Sequence, residues 1–163
     1  VATGQIGMVV TGCGIPLDAI RVDYACGAVE QEVMAVKASD LVIIEGQGSL
    51  AHPGSTSTLP LMRGACPTHL ILCHRAGMTT LDTVRTNSIP VPPLLDLIRL
   101  YEDLAAACGS LPAAKTVGIS LNTAHMSEDA AVRAVEETKE QTGLLVTDPI
   151  RYGPESLFEA VMS

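Results

Sequence analysis

Four short apolar runs give this chain its pattern, and each ends on polar residues where the backbone must turn. Leu41 to Glu45 is a strand-length apolar run closed by a carboxylate and then by Gly46-Gln47-Gly48-Ser49. Thr68 to His74 follows Pro67 and ends in His74-Arg75; Lys115 to Leu121 ends in Asn122-Thr123; Leu144 to Thr147 ends in Asp148-Pro149. Four strands are the expectation, the first of them buried. Helical spacing fills the intervals. Asp23 to Lys37 is amphipathic, and Leu94, Leu97, Ile98, Tyr101, Leu104, Ala105 and Cys108 recur on one face, with Gly109 placed as a C-cap. Ser127 opens another helix that Gly143 closes, and Pro154 opens a last one reaching Met162.

Alternation at these lengths predicts an α/β fold with a mostly parallel sheet, right-handed crossovers and helices on both faces. In such sheets a ligand binds beyond the carboxyl ends of the strands. Those ends carry Glu45, His74, Arg75, Asn122 and Asp148. The 163 residues, 47% hydrophobic and 17% charged, suit one domain over the whole length with a core of aliphatic side chains, since Trp is absent and Phe occurs once.

A net charge of −8 argues against nucleic acid and anionic membranes as partners, and no apolar run is long enough to span a bilayer. Five cysteines without a C-x-x-C pair read as reduced, buried thiols in a cytoplasmic protein. Val1-Ala2-Thr3 runs directly into Gly4, as the end of a strand would, which suggests a domain truncated at its amino end. A truncated sheet exposes an apolar edge, so association into homo-oligomers is expected.

Several motifs offer chemistry. Thr3-Gly4-Gln5-Ile6-Gly7 and Gly12-Cys13-Gly14 are Gly-rich turns whose N–H groups suit an anion, although G-x-x-x-x-G-K-[ST] is absent. Glu45 at a strand end is suited to a base or a magnesium ligand, and Gly46, Gln47, Gly48 and Ser49 beside it let a ligand approach the backbone. His52 lies in a hydroxyl-rich loop and is a second candidate base. Arg63, Arg75 and Arg151 suit carboxylate or phosphate, and Asp23 is an alternative magnesium ligand. Cys66, His69, Cys73 and His74 lie on or beside one strand with no metal-site spacing, so no metal centre is expected.

Taken together, Ala2-Thr3-Gly4-Gln5-Ile6-Gly7, Glu45-Gly46-Gln47-Gly48-Ser49-Leu50 with His52-Pro53, Leu72-Cys73-His74 and Thr147-Asp148-Pro149-Ile150-Arg151-Tyr152-Gly153 resemble the carboxyl-terminal P-loop domain of the D-glutamate N-acetyltransferase family. The resemblance implies a three-layer, P-loop NTPase-like fold similar to dethiobiotin synthetase, with the phosphate loop and a Rossmann-like domain lying before Val1. It also implies acetyl transfer from acetyl-CoA to the amino group of a small-molecule substrate, D-glutamate or a relative. Glu45 then matches the acid after the Walker B-like strand, and Gly4, Gln5 and Gly7 the turn beside the phosphate loop. Other readings of the same residues are an ATP- and Mg²⁺-dependent ligase-like enzyme and a nucleotide-binding module without catalysis.

Overall fold

A computed structural model describes residues 1–81 and 89–163 and divides the chain into two compact units. The first comprises residues 1–67 and 107–112, the second residues 68–106 and 113–163.

In the first unit the expected strand at Leu41 to Glu45 does not form a β-strand and makes a single step of pairing. Val1 N donates to Ile43 O (2.6 Å) and Glu45 N to Val1 O (2.9 Å), a single step of parallel pairing centred on Val1 and Ile44. At the next step the Thr3 N–H turns to the Glu45 side chain, and the ladder goes no further. Nor is the run buried, because Ile43 is 73% exposed and Glu45 is exposed. On its other side the amino-terminal segment is fixed by Ile15 N to Ala2 O and Leu17 N to Thr3 O, both 3.0 Å.

The first Gly-rich turn proves to be helical: α1 (Gln5–Thr11) starts after Gly4 and ends at Gly12, whose φ of 73° is a left-handed cap. Ile6, Val9 and Val10, at helical spacing on α1, are exposed. Helix α2 (Val22–Ala35) forms where amphipathic spacing predicts it and buries Ala25 and Val29. Helix α3 (Thr58–Ala65) begins inside the hydroxyl-rich loop, where no helix was expected. It packs closely on α2 because residue 64 is Gly: a Cβ there would lie 2.7 Å from Val29 Cβ and collide with Cys26 O. Leu17, Ala25, Val29 and Leu61 form this unit's core.

The second unit holds the sheet. Strands β1 (His69–Arg75), β4 (Lys115–Asn122) and β5 (Leu145–Thr147) run parallel in the order β1-β4-β5, and β2 (Thr80–Leu81) and β3 (Ile89–Pro90) form a separate antiparallel pair. β4 is central and buried along most of its length, as a parallel strand covered on both faces should be. Ile119 and Leu121 face the core shared with Ile98 of α4 (Leu94–Ala106) and with Ala134 and Val135 of α5 (Glu128–Thr142). Gly118, of opposite parity, faces α7 (Glu155–Met162), where a Cβ would lie 2.7 Å from Leu157 Cδ2. Helices therefore cover both faces. The Glu102 carboxylate on α4 accepts the Thr116 N–H (2.8 Å) and Lys115 Nζ (3.1 Å), tying α4 to the start of β4.

Two further expectations are corrected. α4 stops at Ala106, because Ala107 and Cys108 take positive φ (48° and 57°) in a 3-10 turn ending at Gly109. All five cysteines are exposed rather than buried, and none is disulfide-bonded. No helix among the described residues is long and apolar enough to cross a membrane.

Candidate functional site

In the first unit two of the motifs meet. The Glu45 carboxylate turns back onto the start of α1, where Oε2 accepts the N–H groups of Thr3 (2.9 Å) and Gly4 (3.1 Å). Thr3 Oγ1 returns a bond to Glu45 O at 2.9 Å. The glycines of the turn are what allow this. A Cβ on Gly7 would stand 2.5 Å from Glu45 Oε2, and one on Gly4 would stand 2.5 Å from Gln47 Nε2. The E-G-Q segment thus lies on the T-G-Q-I-G segment, and each explains the composition of the other. Glu45 Oε1 has no hydrogen-bond partner among the described residues.

The loop beyond Glu45 is fastened from within. Thr58 Oγ1 donates to Gln47 O (2.7 Å), Ser55 Oγ accepts the Ser49 N–H (3.0 Å), and Ser49 Oγ accepts the Ala51 N–H (3.3 Å). Gly48 takes φ 67° with Ser55 Oγ in the space a Cβ would fill, so glycine is required twice over. Ser49 N–H is engaged and therefore not a free anion donor, whereas the N–H groups of Gly46, Gln47 and Gly48 bind nothing among the described residues. His52 is half-buried, and its Nδ1 accepts the Gly54 N–H at 3.1 Å. Gln5 Nε2 donates to Asp18 Oδ2 (3.0 Å), and Asp23 is exposed in the first turn of α2 with no ion-pair partner among the described residues.

In the second unit the strand ends are put to another use. Asp148 is 3% exposed and caps α6 (Pro149–Tyr152): Oδ1 accepts Ile150 N (3.0 Å) and Arg151 N (3.3 Å), with Pro149 at the first helical position. Its Oδ2 accepts Thr123 N (2.9 Å) and Thr123 Oγ1 (2.5 Å). Burial pushes this carboxyl up, but those four hydrogen bonds outweigh it and hold the group below its usual range. Arg151 completes the clamp. Nε donates to Thr123 Oγ1 (2.9 Å), Nη1 to Glu128 Oε2 (2.8 Å), and Nη2 to Thr123 O (3.2 Å) and Met126 O (2.6 Å). Sequence reasoning did not include Thr123 and Glu128, and the signal available was the T-D-P-x-R spacing opposite a Ser-Glu helix start. His74 lies half-buried near the end of β1, where desolvation lowers its pKa; Arg75 faces Asn122 across the strand pair, and Asn122 Oδ1 accepts the Ala124 N–H at 3.0 Å. No three His, Cys, Asp or Glu side chains gather as a metal-ligand set among the described residues.

A three-stranded parallel sheet with helices on both faces defines an α/β domain. The family described as "Domain of unknown function (DUF1611_C) P-loop domain" matches residues 1–158, and the chain belongs to that family. It is 37% identical over 161 residues to a D-glutamate N-acetyltransferase of Tritonibacter scottomollicae, covering 98% of this chain and 47% of that protein. A D-glutamate N-acetyltransferase of a Pseudoalteromonas species is 32% identical over 158 residues, with 96% and 46% covered. The crystal structure of a DUF1611 family protein from Anabaena variabilis superposes with a TM-score of 0.95 at 52% identity, covering 99% of this chain and 47% of that one. The chain thus spans about half the length of the relatives it matches.

Proposed function

We propose that this domain serves acetyl transfer from acetyl-CoA to the amino group of D-glutamate or a closely related amino acid. Two relatives bearing that activity in their names match nearly the whole chain, which supports the reaction class. The observation that carries the reading is the Glu45 carboxylate, fixed through Oε2 by two backbone N–H groups while Oε1 stays open.

The amine nitrogen attacks the thioester carbonyl carbon, a C–N bond forms, and negative charge collects on the carbonyl oxygen. Glu45 Oε1 accepts the proton that the nitrogen loses. The C–S bond then breaks, and the proton held on Glu45 passes to the departing thiolate, which restores the carboxylate. The open N–H groups of Gly46, Gln47 and Gly48 are suited to the oxyanion or to a phosphate of the acyl donor. Arg151 is committed to its clamp and is assigned a structural role.

The test is CoA release by the complete gene product with D-glutamate, with L-glutamate as comparison, alongside calorimetric titration of acetyl-CoA and of Mg·ATP. Acetyl-CoA binding with turnover is expected. Magnesium-dependent ATP binding without acetylation would transfer the case to the ligase-like reading that the P-loop family description favours, with Glu45 Oε1 as magnesium ligand.

A further inference from the structure

A neutral imidazole carries one N–H and one lone pair, so a bond at one ring nitrogen decides what the other can do. The Gly54 N–H points at His52 Nδ1 at 3.1 Å, and a backbone amide can only donate. Nδ1 must therefore hold the lone pair, and the proton of the neutral ring sits on Nε2. The ring is also held in place. His52 N donates to Ser49 O (3.1 Å), Ser55 N donates to His52 O (3.0 Å), and the ring lies against Gly54, where a Cβ would be 3.2 Å from Cε1. Nε2 meets no partner among the described residues. A base acting through Nε2 would first have to move its proton to Nδ1 and break the Gly54 bond.

We propose that His52 presents Nε2–H as a fixed hydrogen-bond donor to an oxygen acceptor of the substrate, rather than acting as the general base. The assignment rests on reading the Glu45 to His52 loop as the acetyl-transfer site. Two oxygens have the required chemistry, the thioester carbonyl as it becomes an oxyanion and a carboxylate of the amino acid. The first would be felt in kcat and the second in KM for the amino acid.

The test has two arms. Long-range proton–nitrogen NMR on protein with ¹⁵N-labelled histidine, with His52 assigned among the four histidines by its loss in His52→Gln, reads the tautomer directly. Nε2–H with a bare Nδ1 at neutral pH is expected, and Nδ1–H overturns the proposal. In the complete gene product, His52→Gln keeps a side-chain N–H near the Nε2 position and should retain activity within about fivefold, whereas His52→Ala should lose about a hundredfold. Equal losses in both variants, or no loss in either, overturn the donor role. If the wild-type protein transfers no acetyl group, the proposed function fails and donation to its substrate fails with it, whereas Nδ1–H in an active protein overturns the donor assignment alone.

Discussion

Glu45 and Asp148 both follow an apolar run and both accept backbone N–H groups, yet they are left in opposite chemical states. Asp148 is buried, both of its oxygens accept two bonds, and Arg151 closes over Thr123 beside it. Glu45 is exposed, with Oε2 filled and Oε1 open. A carboxylate whose lone pairs are all committed organises a turn, and one held on a single oxygen is fixed in position with capacity to spare. The same contrast divides the cations, since Arg151 has four bonds within its unit and Arg75 has no ion-pair partner among the described residues.

The largest expected effect lies on the saturated side. Asp148→Ala strips acceptors from Thr123 and from two amides of α6, and should lower stability by about 3 kcal/mol, or about 10 °C in Tm, by calorimetry. A loss under about 1 kcal/mol would break the contrast with Glu45. Next comes Gly48→Ala, which forces a side chain to a φ of 67° and into Ser55 Oγ. A stability loss of about 2 kcal/mol in urea titration is expected, with a larger relative loss of acetyl transfer as the loop shifts. Gly7→Ala sets a Cβ against the anchored Glu45 Oε2 and should cost about 1 kcal/mol, whereas Gly4→Ala collides with the movable end of Gln47, meets Glu45 Oε1 only at 3.4 Å, and should be nearly neutral in stability.

The smallest effects are in pH. Asp148 and His74 both have lowered pKa values in the folded protein, so the unfolded chain binds more protons in each window and stability is lost as pH is lowered through it. His74 contributes as pH drops below about 6.5 and Asp148 below about 3.9, in each case until the folded pKa is passed. Asp148→Asn should flatten the acid limb of an unfolding series, and His74→Gln the limb above it.

The second unit was legible because its signals are local. The runs at β1, β4 and β5, the face of α4, Ser127 before α5 and Gly143 after it declare themselves through periodicity and caps. The first unit was less so, because its structure is decided by contacts 41 and 42 residues apart. Leu41 to Glu45 has the composition of a buried strand, and on its carboxyl side the capture of Thr3 N–H by the Glu45 side chain takes the place of the next ladder bond. Helices α1 and α3 are short; α1 opens at Gly4-Gln5-Ile6-Gly7 with Gly4 as its N-cap, and α3 follows Pro53-Gly54-Ser55-Thr56, compositions that read as turns. Glu45 and His52 were picked out as candidates by type and place, but their exposure, the bond at His52 Nδ1 and the commitment of Arg151 depend on partners that spacing does not reveal.

On the proposed function one acid serves chemistry and the other structure, a division open to experiment. Its most direct test compares Glu45→Gln with Asp148→Asn in the complete gene product, measuring acetyl transfer to D-glutamate and thermal unfolding on the same samples. Glu45→Gln should lose about a hundredfold in kcat with Tm nearly unchanged, while Asp148→Asn should lose Tm and keep its kcat at temperatures where it is folded. Parallel losses of activity and stability in both variants, or full activity in Glu45→Gln, would contradict it.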